Sequence, residues 1–423
     1  MLYYLIRPFA RITFKLLFRN IRFEGLDRIP KGVPIIFATN HPSAFLEPCL
    51  MACWMPKPLS FIVRGDLFKK KLVRLLLGSL NLIPMFRVKD GGFNVVKNNF
   101  ESIRYVVEYL NKDKCLMILA EGHITAERRL AKMKKGTARL AFGALNEKPD
   151  SGLVIIPVGA DFDDQTRFGT DVHFTIGEAI KVEDYYDEYL EHNNRGITKI
   201  TNLLYERLEA CLIQIPNKKD EELSEKALAF YNSQHPVGSG EEFDIRNKEE
   251  KKLTRVISNM TEESKVAFNG KLDDYNALLE KSGLRKTRYS ESNKVNWGVL
   301  VSHALLFPFG LANATYIYFS KFVNNRIPIV YEYITSIFFA SAMFTGIIFY
   351  SLLISFLGLK SVTGIFIVIA IALFGYLFGR NRFAFAEEIN KIRFKRLKKE
   401  AQDLILQQQD QLNLQLVAQT ELK

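Results

Sequence analysis

The sequence predicts an α/β domain built on a mostly parallel sheet flanked by helices, then a helical connector, then C-terminal transmembrane helices. Three observations support this. From residue 33 to about residue 180, short apolar runs alternate with amphipathic segments, as in sheets whose strands are buried on both faces by helices. Residues 185–294 are rich in Lys, Glu, Asp and Asn, whereas residues 295–379 are strongly apolar, and that shift is the clearest boundary in the 423-residue chain. Three charge-free stretches follow, 295–320, 334–359 and 361–379. The last has 19 residues, which as a helix cover roughly 28 Å, close to the hydrocarbon thickness of a bilayer.

Residues 1–30 are expected to form an amphipathic helix at a membrane interface. Arg7, Arg11, Lys15 and Arg19 recur every four residues among Tyr, Leu, Ile and Phe. One side of the helix is then cationic and the rest apolar, suited to lipid phosphates and acyl chains respectively. The alternative is the same helix packed on its own domain. No small-residue cleavage site follows the apolar part, so the segment does not read as a signal peptide.

Residues 31–185 are expected to form the α/β domain. Its strands read as "VPIIFAT", "LSFIV", "LIPMF", "CLMILA", "LVIIPV" and "VHFTI", short runs of β-branched, aromatic and other large apolar residues. Helices fall at 67–79, 93–110 and 133–146. The first of these sets Lys69, Lys70, Lys71 and Arg74 beside a leucine-rich face, either a second membrane contact or a helix with a solvated basic side. Residues 186–294 read as a helical connector without a motif. In the membrane region, 295–380, Lys360 alone separates 334–359 from 361–379, so these two are expected to form a transmembrane hairpin. Basic residues are dense before residue 295 (Arg285, Lys286, Arg288, Lys294) and after residue 379 (Arg380, Arg382, Lys391, Arg393). Two cytosolic flanks require an even number of crossings, which makes 295–320, with Pro308 and Asn313 inside it, re-entrant or interfacial; three full spans are the alternative. Residues 381–423 are a basic, then Gln-rich, cytosolic tail.

The net charge of +12 admits nucleic acid or an anionic membrane as partner. The basic residues cluster near strand ends and apolar stretches, not on an aromatic-interleaved surface, so the expectation is a phospholipid membrane and no nucleic acid. Cys49, Cys53, Cys115 and Cys211 show neither metal-ligand spacing nor a disulfide framework. This fits an integral membrane protein whose catalytic domain faces the reducing cytoplasm.

Sites in parallel sheets form at the carboxyl ends of strands, where His41 follows the first apolar run and Glu121 follows "CLMILA". In "TNHPSAFLEP", Pro42 suits the first turn of a helix, which would place His41 at a helix N-terminus beside free N–H groups. Glu47, six positions on, is a candidate to fix the tautomer of the imidazole. The alternative is a polar helix start with an unrelated surface glutamate. Arg64 and Arg87 also end apolar runs, and Arg128, Arg129, Lys132, Lys134, Lys135 and Arg139 follow Glu121 and Gly122. Cations converging at strand ends suggest a phosphate-bearing substrate, against the plainer reading that wet loops carry charge.

In these residues the chain resembles the PlsC-type glycerolipid acyltransferases over about residues 1–185. "NHPSAFLEP" resembles the family's first block, Asn-His with an acid shortly after, and "LNLIPMFR", ending in Arg87, the second. "AEGHITAERRLAKMKKG" resembles the third, Pro-Glu-Gly-Thr-Arg followed by the Lys-Gly pair seen here as Lys135-Gly136, and "VIIPVGA" the fourth. The resemblance implies an O-acyltransferase that moves a fatty acyl group from acyl-CoA or acyl-carrier protein to a glycerophosphate or lysophospholipid acceptor, with no metal or cofactor. His41 would be the base and Glu47 its orienter. Glu121 and Gly122 would shape the acceptor pocket, and Arg87, with Arg128 or Arg129, would hold phosphate. The departures are Leu46 where the usual aspartate stands, with the acid one step later at Glu47, and Ala120, His123 and Ile124 in place of the third block's proline and Thr-Arg. They leave open another lysolipid or an amino-acid lipid as acceptor, and a non-catalytic membrane scaffold that keeps the fold.

Overall fold

The apolar runs assemble into one sheet. The protein is described here by a computed structural model covering residues 2–86, 99–125, 127–164, 167–237, 240–326, 330, 333–358 and 361–421. Two units separate, Met1–Leu212 with Ile329–Met343, and Ile213–Pro328 with Phe344–Lys423.

In chain order the first unit contains α1 (Leu2–Leu17), β1 (Asn20–Glu24), β2 (Ile35–Thr39), α2 (Leu46–Trp54), β3 (Leu59–Arg64), α3 (Lys71–Ser79), β4 (Leu82–Met85), α4 (Asn99–Leu110), β5 (Cys115–Leu119), α5 (Gly136–Glu147), β6 (Val154–Phe162), β7 (Asp171–Ile176), β8 (Ile180–Lys181), α6 (Tyr186–Glu191) and α7 (Asn193–Cys211). The eight strands follow the order β1-β7-β6-β2-β5-β3-β4, with β8 paired to β6. Strands β6, β2, β5, β3 and β4 are mutually parallel, whereas β7 runs antiparallel to β6 and parallel to β1. The five parallel strands therefore end at one edge, with Thr39 beside Leu119 and Val158, and Arg64 beside Met85. Every residue of β2 and β6 is buried, as strands covered on both faces must be. On one face Ile36, Leu116 and Ile155 share a core with Val107, Leu140, Phe142, Leu204 and Leu208. Helix α7 reaches β6 this closely because residue 159 is glycine: a Cβ there would stand 2.7 Å from the Cys211 carbonyl oxygen.

The N-terminal segment departs from expectation. Its helix stops at Leu17, and residues 20–24 pair with β7, since Arg19 makes a two-point ion pair with Asp171 at 2.9 and 2.7 Å. The cationic stripe is turned toward the protein at two more places. Arg7 donates to the carbonyls of Cys53 and Met55, at the electronegative end of α2, and the Arg11 guanidinium lies 5.4 Å from the centre of the Trp54 ring. Helix α1 exposes Tyr4, Leu5, Phe9 and Ile12 beside Arg11 and Lys15, and α3 exposes Leu72, Leu75 and Leu76.

The second unit holds α8 (Glu221–Gln234), α9 (Gly240–Ser258), α10 (Glu262–Lys281), α11 (Trp297–Arg326), the later turns of α12 (Ile334–Leu353), α13 (Val362–Lys395) and α14 (Lys399–Glu421). The connector and the Gln-rich tail form a single core, in which Leu228, Leu253, Phe268 and Tyr275 meet Ile405 and Leu412. Gln409 explains why a Gln-rich helix belongs there: its side chain accepts from the Tyr289 N–H at 2.8 Å and donates to the Tyr289 carbonyl at 3.0 Å.

Among the described residues three helices are long and apolar enough to cross a membrane, over Trp297–Thr315, Ile334–Leu357 and Val362–Lys395. Of the stretch 295–320, expected as re-entrant or interfacial, residues 297–320 lie in one helix that runs unbroken through Pro308. The close antiparallel pair is α11 with α13, where adjacency in sequence suggested 334–359 with 361–379. The Asn296 N–H donates to Glu388 at 2.8 Å, Asn381 to the Ser302 hydroxyl at 3.0 Å, and Asn313 to the Ile371 carbonyl at 3.1 Å. Glycines permit this approach, since a Cβ on Gly310 would strike the Phe378 ring and one on Gly375 the Asn313 amide. The Arg285 N–H donates to Asn390 at 2.9 Å, so both basic flanks lie at the same end of the pair.

Candidate active site

Strand β2 ends at Thr39, and Asn40 carries the pairing one step further through its side chain. The amide donates to the Ala160 carbonyl at 3.0 Å and accepts from the Ala160 N–H at 2.8 Å. With the ladder closed this way, the backbone is free to turn at His41. The His41 Nδ1 lies 2.5 Å from Glu47 Oε1, and both side chains are buried, Glu47 completely. Glu47 Oε2 accepts from the Ser43 hydroxyl, also at 2.5 Å. The Ser43 oxygen in turn accepts the Leu46 N–H at 3.1 Å. A carboxylate that engages Nδ1–H leaves the lone pair on Nε2, the nitrogen able to take a proton from a substrate.

The helix after His41 begins at Leu46, not at Pro42. Residues 41–45 form a turn because two serines take up N–H groups there, Ser43 that of Leu46 and Ser336, from the first turn of α12, that of Phe45 at 3.3 Å. His41 is therefore oriented by a carboxylate and not by a helix terminus. Glu47 sits in the first turn of α2, where a negative charge is favoured, and Leu46 is fully buried. The acid thus stands one position later than in the usual block, and the intervening position serves the core.

Glu121 is engaged by backbone groups. Its carboxylate accepts from the His41 N–H at 2.9 Å and from the Ala131 N–H at 3.0 Å, and it is almost fully buried. The Thr125 N–H donates to the His41 carbonyl at 2.9 Å. The loop after β5 thus grips the backbone of His41 on both sides. Gly122, at φ 71°, makes the turn that brings it back.

The cations are distributed unequally. Arg128 donates to the carbonyls of Phe162 and Asp163 at 2.7 and 3.1 Å and lies 3.9 Å from Asp161. Its fork is engaged at the end of β6, with 11% of the side chain exposed against 30% for Arg129, which pairs with Glu127. Arg64 ends β3 at the same sheet edge and makes a two-point pair with Asp66. Lys135 donates to Thr198 at 2.9 Å, and Gly136 opens α5. Arg87 lies outside the described residues. The four cysteines are free. Burial pushes the Cys53 thiol up to about 12 and raises Cys49 further still, so neither beside the site supplies a thiolate nucleophile.

Residues 20–161 match the model of the acyltransferase family. The chain carries an acyltransferase domain. Among curated proteins, glycerol-3-phosphate O-acyltransferase 2 of Saccharomyces cerevisiae is 26% identical over 142 residues, 32% of this chain and 18% of its own. An uncharacterized acyltransferase of Schizosaccharomyces pombe is 23% identical over 285 residues, 47% of this chain and 42% of its own. The chain thus spans less than half the length of either relative. Among solved structures, the 1-acyl-sn-glycerophosphate acyltransferase PlsC of Thermotoga maritima aligns with a TM-score of 0.33 and 19% identity, over 47% of this chain and 79% of that one.

Within the acyltransferase domain, Ser43 is the residue that motif spacing does not single out. Its hydroxyl holds the second oxygen of Glu47 while capping α2. Ser43→Ala is expected to lower kcat about tenfold with little change in KM, because one charge-assisted hydrogen bond on a buried carboxylate is lost. Steady-state kinetics beside a thermal melt check this. Equal losses in kcat and in folded fraction would assign Ser43 to the helix cap alone.

Proposed function

We propose that the acyltransferase domain transfers a fatty acyl group from acyl-CoA or acyl-carrier protein to a hydroxyl of glycerol 3-phosphate or 1-acyl-glycerol 3-phosphate, in phospholipid biosynthesis. The observation that carries the reading is the buried His41–Glu47 contact of 2.5 Å at the sheet edge where five parallel strands end. His41 Nε2 takes the proton of the acceptor hydroxyl as its oxygen attacks the thioester carbonyl. The carbon–sulfur bond then breaks, and the departing thiolate takes the proton back from the imidazolium. Glu47 stabilises that cation, and Ser43 and Glu121 hold the pair in place. A thioester is already activated, so base catalysis, positioning and electrostatic stabilisation suffice, without an acyl-enzyme.

Arg64, Arg87, Arg129 and Lys135 are the cations assigned to the acceptor phosphate, with Gly122 leaving room beside them. The glycerol phosphate acceptor is supported by the name of the Saccharomyces cerevisiae relative. The membrane is supported by the three apolar helices and by the exposed apolar residues of α1 and α3. Both basic flanks at one end of the α11–α13 pair support a catalytic domain on the cytoplasmic side. One assay tests these together. Sealed vesicles with the cytoplasmic face outward receive labelled glycerol 3-phosphate or 1-acyl-glycerol 3-phosphate, with acyl-CoA or acyl-carrier protein. Product without detergent is the expected result; activity only after detergent would reverse the orientation, and none with any pair would remove the reading.

A further inference from the structure

In the helical unit, α8, α9, α14 and the Arg288 loop wall a cavity of about 500 Å³ that is open to solvent on one side. Its features do not belong to a plain helical core. Gln234 lines it and is 2% exposed. The Gln234 Nε2 donates to the Ser233 oxygen at 3.0 Å, and the Ser233 hydroxyl is already donated to the Phe230 carbonyl at 2.6 Å. With that proton committed, Ser233 can only accept from the amide, which fixes which amide atom is nitrogen. Gln234 Oε1 is then a buried acceptor with no hydrogen-bond partner, and such groups call for an explanation.

The charges in the wall do not cancel. Lys252 pairs with Glu249 at 2.7 Å, whereas Arg288 is exposed and has no ion pair among the described residues. The Tyr231 ring stacks on His235 at 4.2 Å, and Leu253, Leu416 and Val417 supply apolar surface. A ligand that answers all three features carries an anion for Arg288, a hydroxyl to donate to Gln234 Oε1, and a hydrocarbon portion. We propose that this cavity binds a monoacyl glycerophosphate, an anionic amphiphile with a free hydroxyl. Its relevance, though not its chemistry, rests on the proposed function. Such a lipid is the product of one acylation of glycerol 3-phosphate and the acceptor for the next, so the helical unit would sense the reaction's own intermediate.

The test uses the full chain in phosphatidylcholine nanodiscs, with 1-hexanoyl-glycerol 3-phosphate as probe and hydrogen exchange read by mass spectrometry. Exchange is expected to slow in peptides covering 249–253 and 413–417. The concentration for half protection should rise about tenfold in Arg288→Ala and in Gln234→Leu, each removing one polar contact. Gln234→Leu also removes the unpartnered acceptor, so its fold is retained. Hexanoate and glycerol 3-phosphate, each lacking part of the chemistry, should protect at least tenfold more weakly. Protection that is unchanged in both variants, equal with glycerol 3-phosphate, or confined to residues 40–47 and 121–131 would overturn the proposal. His41→Ala should keep this protection while turnover disappears. Protection in a chain that transfers no acyl group under any condition would remove the acyl-transfer reading and leave the cavity's ligand standing.

Discussion

His41→Ala is expected to lower kcat/KM for acyl transfer about a thousandfold, within the range that a positioned general base contributes. The loss should fall on kcat, because the imidazole acts on the proton and not on the phosphate or acyl chain that bind the substrates. The fold should survive. His41 is held through its backbone, by Glu121 at the N–H and Thr125 at the carbonyl, and alanine keeps both bonds. The variant does leave Glu47 buried without the ring, so a modest fall in melting temperature accompanies the loss. Turnover within tenfold of wild type, in a chain that melts normally, would remove His41 from the chemistry.

The second large effect belongs to Glu121. Its two oxygens take the N–H groups of His41 and Ala131, and truncation to alanine leaves both groups unpaired in the interior. Each such group costs about 1–3 kcal/mol, so Glu121→Ala is expected to lose about 2–6 kcal/mol of stability together with most activity. Glu121→Gln separates position from charge. One amide oxygen still accepts, while the amide nitrogen faces an N–H it cannot satisfy. The expected result is a folded protein whose kcat falls about a hundredfold with KM nearly unchanged, since a base displaced by an ångström loses about that much. A rise in KM at constant kcat would instead place Glu121 against the acceptor, as its motif suggested.

The framework of the domain was legible because it rests on local pattern. Runs such as "VPIIFAT" and "LVIIPV" are too apolar for anything but covered strands, and parallel strands leave their following loops at one edge. The pairing of His41 with Glu47 was legible from spacing within a single turn and helix. Ser43 stands in the same stretch, but a serine before a helix ordinarily reads only as a cap. Ser336 could not be found, since it approaches Phe45 from 291 residues away.

Strand β1 carries its own signal. In "NIRFE" apolar and polar residues alternate, the period of a strand, although the cationic repeat that ends at Arg19 favours helix up to its edge. That repeat suits lipid phosphates, but the end of α2 and Asp171 are nearer acceptors. Arg128 was indistinguishable from Arg129 by composition, and only the fold brings the Phe162 and Asp163 carbonyls within its reach. In the apolar region adjacency favoured a hairpin of 334–359 with 361–379. Gly310, Asn313 and Gly375 instead mark the faces of α11 and α13 that meet, a small-residue signal of close helix packing.

A double-mutant cycle measures directly whether His41 and Glu47 act as one unit. The kcat/KM for acyl transfer is compared in wild type, His41→Ala, Glu47→Gln and the double variant. A carboxylate that works only by steering the imidazole has nothing left to lose once the ring is gone. The double variant is therefore expected to be no slower than His41→Ala alone. Losses that multiply, with the double variant slower by the product of the two single effects, would contradict the account.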